Sequence, residues 1–136
     1  MANYAKVIPH NVERNHFGEG IALATELWTA AATNGTKYGA YIPMTKRDDK
    51  MMVLIHNSGT GAQTATVKAG QSCFATKDLT VTIAAGDVLP VVLESGRFMQ
   101  MDESHAAEAN VETVKGCILI EASSADVQVA VLARHW

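Results

Sequence analysis

The sequence predicts an all-β chain: a single antiparallel β-sandwich or jelly-roll-like barrel of about eight short strands, with an extended N-terminal arm. Three observations carry this expectation. Leu79, Val81 and Ile83 alternate with Thr80 and Thr82, and Leu89, Val91 and Leu93 resume the step after the turn Ala-Ala-Gly-Asp. A period of two puts one set of side chains on the core face of a strand. Turn-forming clusters then recur about every 8–12 residues beyond residue 50, the spacing of a sandwich or barrel. Finally, 136 residues and 14.5 kDa scale to a folded surface of roughly 7,000 Å² against about 21,000 Å² unfolded. That burial supports one sandwich-sized core without metals or disulfides.

The elements follow in order. Residues 1–20 hold Pro9, Gly18 and Gly20 with no sustained periodicity and read as an extended arm, ordered against a partner. "IALATELWTAAA" (21–32) fits two periods. Alanine favours helix, whereas Leu23, Thr25, Leu27 and Thr29 alternate; the following Asn34-Gly35 hairpin signal and Tyr38, Tyr41 and Ile42 tip the reading to β. "MMVLIHN" (51–57) reads as a buried strand. "QTATVKAG" (63–70) and "DLTVTIAAG" (78–86) alternate and stop at glycine. "VLPVVLES" (88–95) carries Pro90, which cannot donate to a ladder and so marks an edge or a bulge. "GRFMQ" (96–100) continues the sheet, 101–116 is a polar loop or helical turn, and "CILIEA" with "VQVAVLAR" reads as a closing hairpin. The arm, 1–20, and one sandwich domain, 21–136, are the expected organisation.

Charged residues make up 18% of the chain, below the globular average of about 25%. A surface short of charge favours meeting another surface. The net charge of -3 and pI near 5.9 give no basic stripe for nucleic acid. No uninterrupted apolar run reaches membrane-spanning length. Residues 1–20 lack the apolar core of a signal peptide, so the expectation is a protein made in a cytoplasm and not exported by that route. Cys73 and Cys117 lack zinc spacing; Cys117, inside "GCILIEA", is expected as a buried small hydrophobe, and a disulfide is not expected.

Signals for catalysis are weak. No serine sits in G-x-S-x-G, and Ser95 in "LESGR" is best explained by a turn. His10, Glu13 and His16 lack the H-E-x-x-H spacing and would share a metal only if the arm bent. "DESH" (102–105) offers two carboxylates beside a histidine, the composition of a solvated loop. Glu94 and Arg97 are placed for a surface ion pair across Ser95-Gly96. Trp28 is expected in the core; Trp136, directly after a strand, suits either packing on its own chain or an interface anchor. No catalytic residues, no metal ligands and no cofactor are expected.

"MVLIHNSGTGAQTATVKAG", "DLTVTIAAGDVLPVVLESGRFMQ" and "VQVAVLARHW" together resemble small β-sandwich virion proteins of tailed bacteriophages, encoded among the structural genes near the major capsid protein. The resemblance runs from about residue 50 to residue 134 and rests on strand phrasing, the turns and "LESGRF". It implies a structural virion component: a capsid decoration (cement) protein that binds the outer surface of the head and stabilises the shell. It further implies the major capsid protein as partner, a homo-oligomer with a trimer at local threefold positions favoured, and a place on the virion after assembly in the host cytoplasm. Nucleic acid and membrane are not expected partners. The capsid-binding residues would lie on the arm: Tyr4, Val7, Ile8, His10, Val12, His16 and Phe17, adding a strand to a capsid sheet edge. Trp136 would anchor the oligomer. Two rival readings remain: a tail- or fibre-associated carbohydrate- or receptor-binding module using Tyr38 and Tyr41, and a metal-dependent enzyme built on the Asp102–His105 carboxylates and histidine.

Overall fold

The computed structural model describes residues 3–75 and 77–136; residues 1 and 2 of the expected arm lie outside the described residues. The chain is mostly β, in two mixed sheets. Its strands are β1 (Ala5–Lys6), β2 (His10–Val12), β3 (Thr29–Ala30), β4 (Ala32–Thr33), β5 (Tyr38–Pro43), β6 (Met51–Asn57), β7 (Gln63–Val67), β8 (Leu79–Ile83), β9 (Val88–Val91), β10 (Cys117–Ala122) and β11 (Val127–Arg134). Short helical turns occupy Leu23–Leu27, Asp48–Lys50, Ser95–Phe98 and Ala106–Ala109. The first sheet runs β1-β5-β10-β7-β8, with β4 also on β5; the second runs β2-β11-β6-β9, with β3 also on β11.

The period-two pattern sets the core. Ala65, Val67 and Ile83, with Ile42, Ile118 and Ile120, point inward from the first sheet; Val53, Ile55, Val129 and Val131 point inward from the second, and all belong to one apolar cluster. Each Val or Ile so buried is worth about 1.5–3 kcal/mol against exposure. The surface left is 7519 Å², close to that scaled from mass alone.

Several expectations need correcting. The sheets are not purely antiparallel: β1 lies parallel to β5, and β2 parallel to β11. β10 and β11 are not a hairpin. β10 pairs β5 and β7 in one sheet, whereas β11 pairs β2, β3 and β6 in the other. The turn between them therefore arches across the core, as does that between β8 and β9. Two consecutive strands whose inner faces are both apolar bury more by facing each other than by lying side by side. "GRFMQ" is no strand: Ser95–Phe98 turns helically, and Met99 alone bridges to Ile118. Residues 23–27 likewise wind into a turn, leaving only β3 and β4 of the expected β segment. Pro90 does lie on an edge strand, β9. Asn34-Gly35 does open a hairpin, β4 to β5, where Gly35 takes φ +105° and Asn34 Oδ1 accepts the Thr36 and Lys37 amides.

The expected arm is corrected most sharply. Its residues add a strand to each sheet, and Val7 drops between them into the core, its amide donating to Tyr41 O at 2.9 Å. Tyr4 is buried too, in a second cluster with Ala109, Val114 and Leu119 on the outer side of the first sheet. That cover explains why "CILIEA" lacks alternation: β10 is buried on both faces. The Tyr4 hydroxyl donates to Glu121 Oε2 at 2.9 Å, and burial first, then this bond, pushes its pKa well above the ordinary phenol value. The ring packs against Gly39, where an added Cβ would come within 2.5 Å of Tyr4 Cε2.

Alanine for glycine inside a strand ordinarily stabilises. Here Gly39→Ala is expected to displace the Tyr4 ring and cost about 1–3 kcal/mol, read as a lowered thermal midpoint. In a Tyr4→Ala background the same substitution is expected to be neutral or stabilising.

Candidate functional site

The surface features gather at the junction of the N-terminal segment with the end of β11. Glu13 accepts from His135 Nδ1 at 2.7 Å, lies 3.8 Å from His16 Nε2, and so ties the segment after β2 to the end of the chain. The His135 amide donates to Val12 O at 3.0 Å. His10 does not join this group; its Nε2 meets the Leu27 carbonyl at 3.3 Å, holding the 23–27 turn down. The bend between them uses Asn15 at φ +63°, a left-handed position that asparagine tolerates. Together these contacts leave a cleft of about 460 Å³ bordered by His10, Glu13, Glu19, Ile21 and Glu26.

Of the residues expected to contact a shell, Tyr4 and Val7 are buried and unavailable. His10 is half-buried and His16 exposed. Ile8, Val12 and Phe17 are exposed, Phe17 completely (101%). The sequence reading missed Leu23, whose side chain is 70% exposed on the adjoining turn. An apolar side chain at the crest of an ambiguous helix-or-strand run gave no signal of its direction.

A second apolar patch covers the outer face of the second sheet. Val12, Met52, Val92 and Leu132 line a groove of about 260 Å³ with Met51, Asp49, Lys50 and Arg134. Trp136 is 39% exposed, with the Arg134 guanidinium 4.9 Å from its ring. Trp136 thus packs partly on its own chain and leaves the rest bare. Trp28 is not in the core as expected. It is half-buried on the outer face of the same sheet, 4.9 Å from the His56 ring, and His56 Nδ1 pairs with Gln128 Oε1 at 3.0 Å.

The groups that suggested chemistry are occupied in holding loops. Glu103 accepts from Thr113 Oγ1 and from the amides of Val114 and Lys115, with the Thr113 bond first among the causes that lower its pKa. Asp102 accepts the Ser104 amide, and His105 faces Glu108 at 3.3 Å. Glu94 and Arg97 form the expected exposed pair at 3.1 Å. Cys117 is buried, its thiol pushed up chiefly by desolvation, and Cys73 is exposed; both are free. Tyr38 and Tyr41 are half-buried. Among the described residues no three of His, Cys, Asp and Glu are placed to hold a metal ion, and no helix is long and apolar enough to cross a membrane. Compared with protein-family models, curated proteins and solved structures, the chain matches none.

Ser95 has the turn role expected of it, through a partner the sequence concealed. Its amide and hydroxyl both donate to Asp48 Oδ2, at 2.7 and 3.0 Å. These bonds, the amide's first, hold Asp48 below the ordinary carboxyl range. A lowered folded-state pKa means stabilisation that is complete above the ordinary carboxyl value and lost as pH falls from there through the lowered one. Wild-type protein is therefore expected to lose more thermal stability than Asp48→Asn across that acidic window. Melting both proteins at a series of pH values checks it.

Proposed function

We propose that the chain is a structural virion protein, a capsid decoration (cement) protein that binds the outer surface of a bacteriophage head and stabilises the shell. We read its two sheets, sharing one apolar layer, as a sandwich of the kind those proteins use. The observation that carries the reading is the run of bare apolar side chains on the N-terminal segment, from Ile8 ahead of β2 to Leu23 on the turn that leads to β3. Ile8, Phe17, Ile21 and Leu23 stand exposed within sixteen residues of one another. Such a concentration marks a surface for a protein partner. The low charged share of the sequence points the same way.

In this reading the shell contact is the exposed crest, residues 13–23, rather than the whole arm, because β1, Val7 and β2 belong to the fold. Many copies on one shell each bury modest area, and several weak contacts per assembled unit multiply into firm attachment. The partner is the major capsid protein, and the place of action is the virion surface.

Phe17→Ala combined with Leu23→Ala is expected to leave the thermal midpoint within about 2 °C, since both side chains are surface groups. Binding to expanded shells, read by co-sedimentation, is expected to weaken by roughly tenfold or more, as for loss of interface anchors. Undiminished binding by the double variant overturns this placement of the contact. Binding by neither protein to any shell overturns the decoration reading itself. Deleting residues 3–12 is a poor test, because it removes Tyr4 and Val7 from the core.

A further inference from the structure

The four edges of the two sheets are treated differently. On one side the chain closes both sheets with its own N-terminal half, ending in pieces of two or three residues: β1 and β4 on β5, β2 and β3 on β11. Very short edge strands are one of the devices that prevent edge-to-edge association. On the other side, β9 ends the second sheet and carries Pro90, which has no amide to offer. β8 ends the first sheet with none of these devices. Its five residues, Leu79-Thr80-Val81-Thr82-Ile83, hold no charge, no proline and no glycine.

Between β8 and β9 the two sheets gape. A cleft of about 340 Å³ opens there, bordered by Leu79, Val81, Leu89 and Val91, with the core residues Ile55 and Val67 at its floor. Leu79 at its lip is 44% exposed. The same strand therefore presents an unpaired backbone edge and an apolar mouth.

β8 is also its own complement. Reversed about Val81, its pattern of side chains repeats: Leu79 falls opposite Ile83, Thr80 opposite Thr82, and Val81 opposite itself. We infer that β8 is an interface between two copies of this chain, which pair antiparallel about Val81 and continue the first sheet across a twofold axis. On the outer face this extends an existing threonine ladder, in which Thr66 and Thr80 already share a hydrogen bond at 3.1 Å and Thr64 stands opposite Thr82. On the inner face Val81 meets Val81 of the second copy, and the two cleft mouths close on each other.

Charge agrees with this register. Lys77 and Asp78 fall opposite Ala85 and Ala84 of the second copy, so no like charges face each other. Lys77 lies diagonal to Asp87 of the second copy, an opposite sign. Asp78 is already neutralised within its own chain by Lys68 at 3.0 Å. The pairing is twofold and closed, unlike the threefold ring expected from the resemblance, and it does not depend on the shell-binding reading.

The test is the solution mass of the full chain, by sedimentation across a range of concentrations, for wild type and two variants. Thr80→Lys with Thr82→Lys places like charges opposite each other at every crossing of the axis. Thr80→Lys with Thr82→Glu places opposite charges there in the same positions. The inference expects a dimer for wild type, a dissociation constant raised by roughly tenfold or more in the double-lysine chain, and recovery in the lysine–glutamate chain. A wild-type monomer at all concentrations overturns it, as does a trimer, or a dimer indifferent to both variants. Should the double-lysine chain fail to fold, amide exchange of wild-type β8 decides. Protection that rises with protein concentration upholds the pairing, and protection independent of concentration overturns it.

Discussion

Everything in this molecule depends on one apolar layer shared between two sheets. Val53, Ile55, Val129 and Val131 face Ile42, Val67, Ile118 and Ile120 across it, and neither set is buried without the other. Because strand side chains alternate with a period of two, each register is locked: a slip of one residue would send Thr64, Thr66 and Thr80 inward and the valines out. The succession of arches between the sheets follows from the same demand. Each arch sets two apolar strand faces against each other with the least chain.

Arches need pins, because a chain crossing the edge of a core leaves backbone groups to satisfy. Asn57, fully buried at the end of β6, supplies one. Its side-chain amide donates to Gly61 O and Ile83 O, and its carbonyl oxygen accepts from the Gly59 amide. One side chain thereby fixes the arch that follows β6 to the end of β8. Gln100, also fully buried, does the like for the opposite end, reaching Ala69 O and accepting from Gln71. Such buried amides hold their neighbours in one geometry, and an unpartnered one would be costly.

The N-terminal segment is at once fold and surface. Ahead of β1 it buries Tyr4 on the outer side of the first sheet, where it crosses between the sheets it gives up Val7 to the core, and immediately afterwards it exposes Ile8 and then Phe17. The Glu13 link to His135, with the His135 amide on Val12 O, holds that exposed part against the end of the chain. A partner meeting Phe17 would meet a presented surface rather than a free tail, which lowers the ordering cost of binding. The opposite side of the molecule has no such segment, and there β8 and the cleft beside it stand open.

By itself the sequence determined that the chain is β-rich, where β6, β8, β10 and β11 lie, that Val81 and Ile83 of β8 face inward, and that Pro90 belongs at an edge or a bulge. These are local consequences of alternation and of backbone chemistry. It left open what depends on distance along the chain. Parallel pairing of β1 with β5 and of β2 with β11, and the burial of Tyr4 against Gly39, join residues far apart, and the hairpin expected of β10 and β11 gives way to pairings with distant strands in different sheets. Ile8 and Phe17 stand in one aperiodic stretch with Tyr4 and Val7, and nothing in it separated the two exposed side chains from the two buried ones; Leu23 and the Asp48–Ser95 bond were not legible either. Only the tertiary structure decided which apolar side chains found cover. Burial is a property of what stacks above a residue, and a one-dimensional pattern states which way a side chain faces but not what it meets.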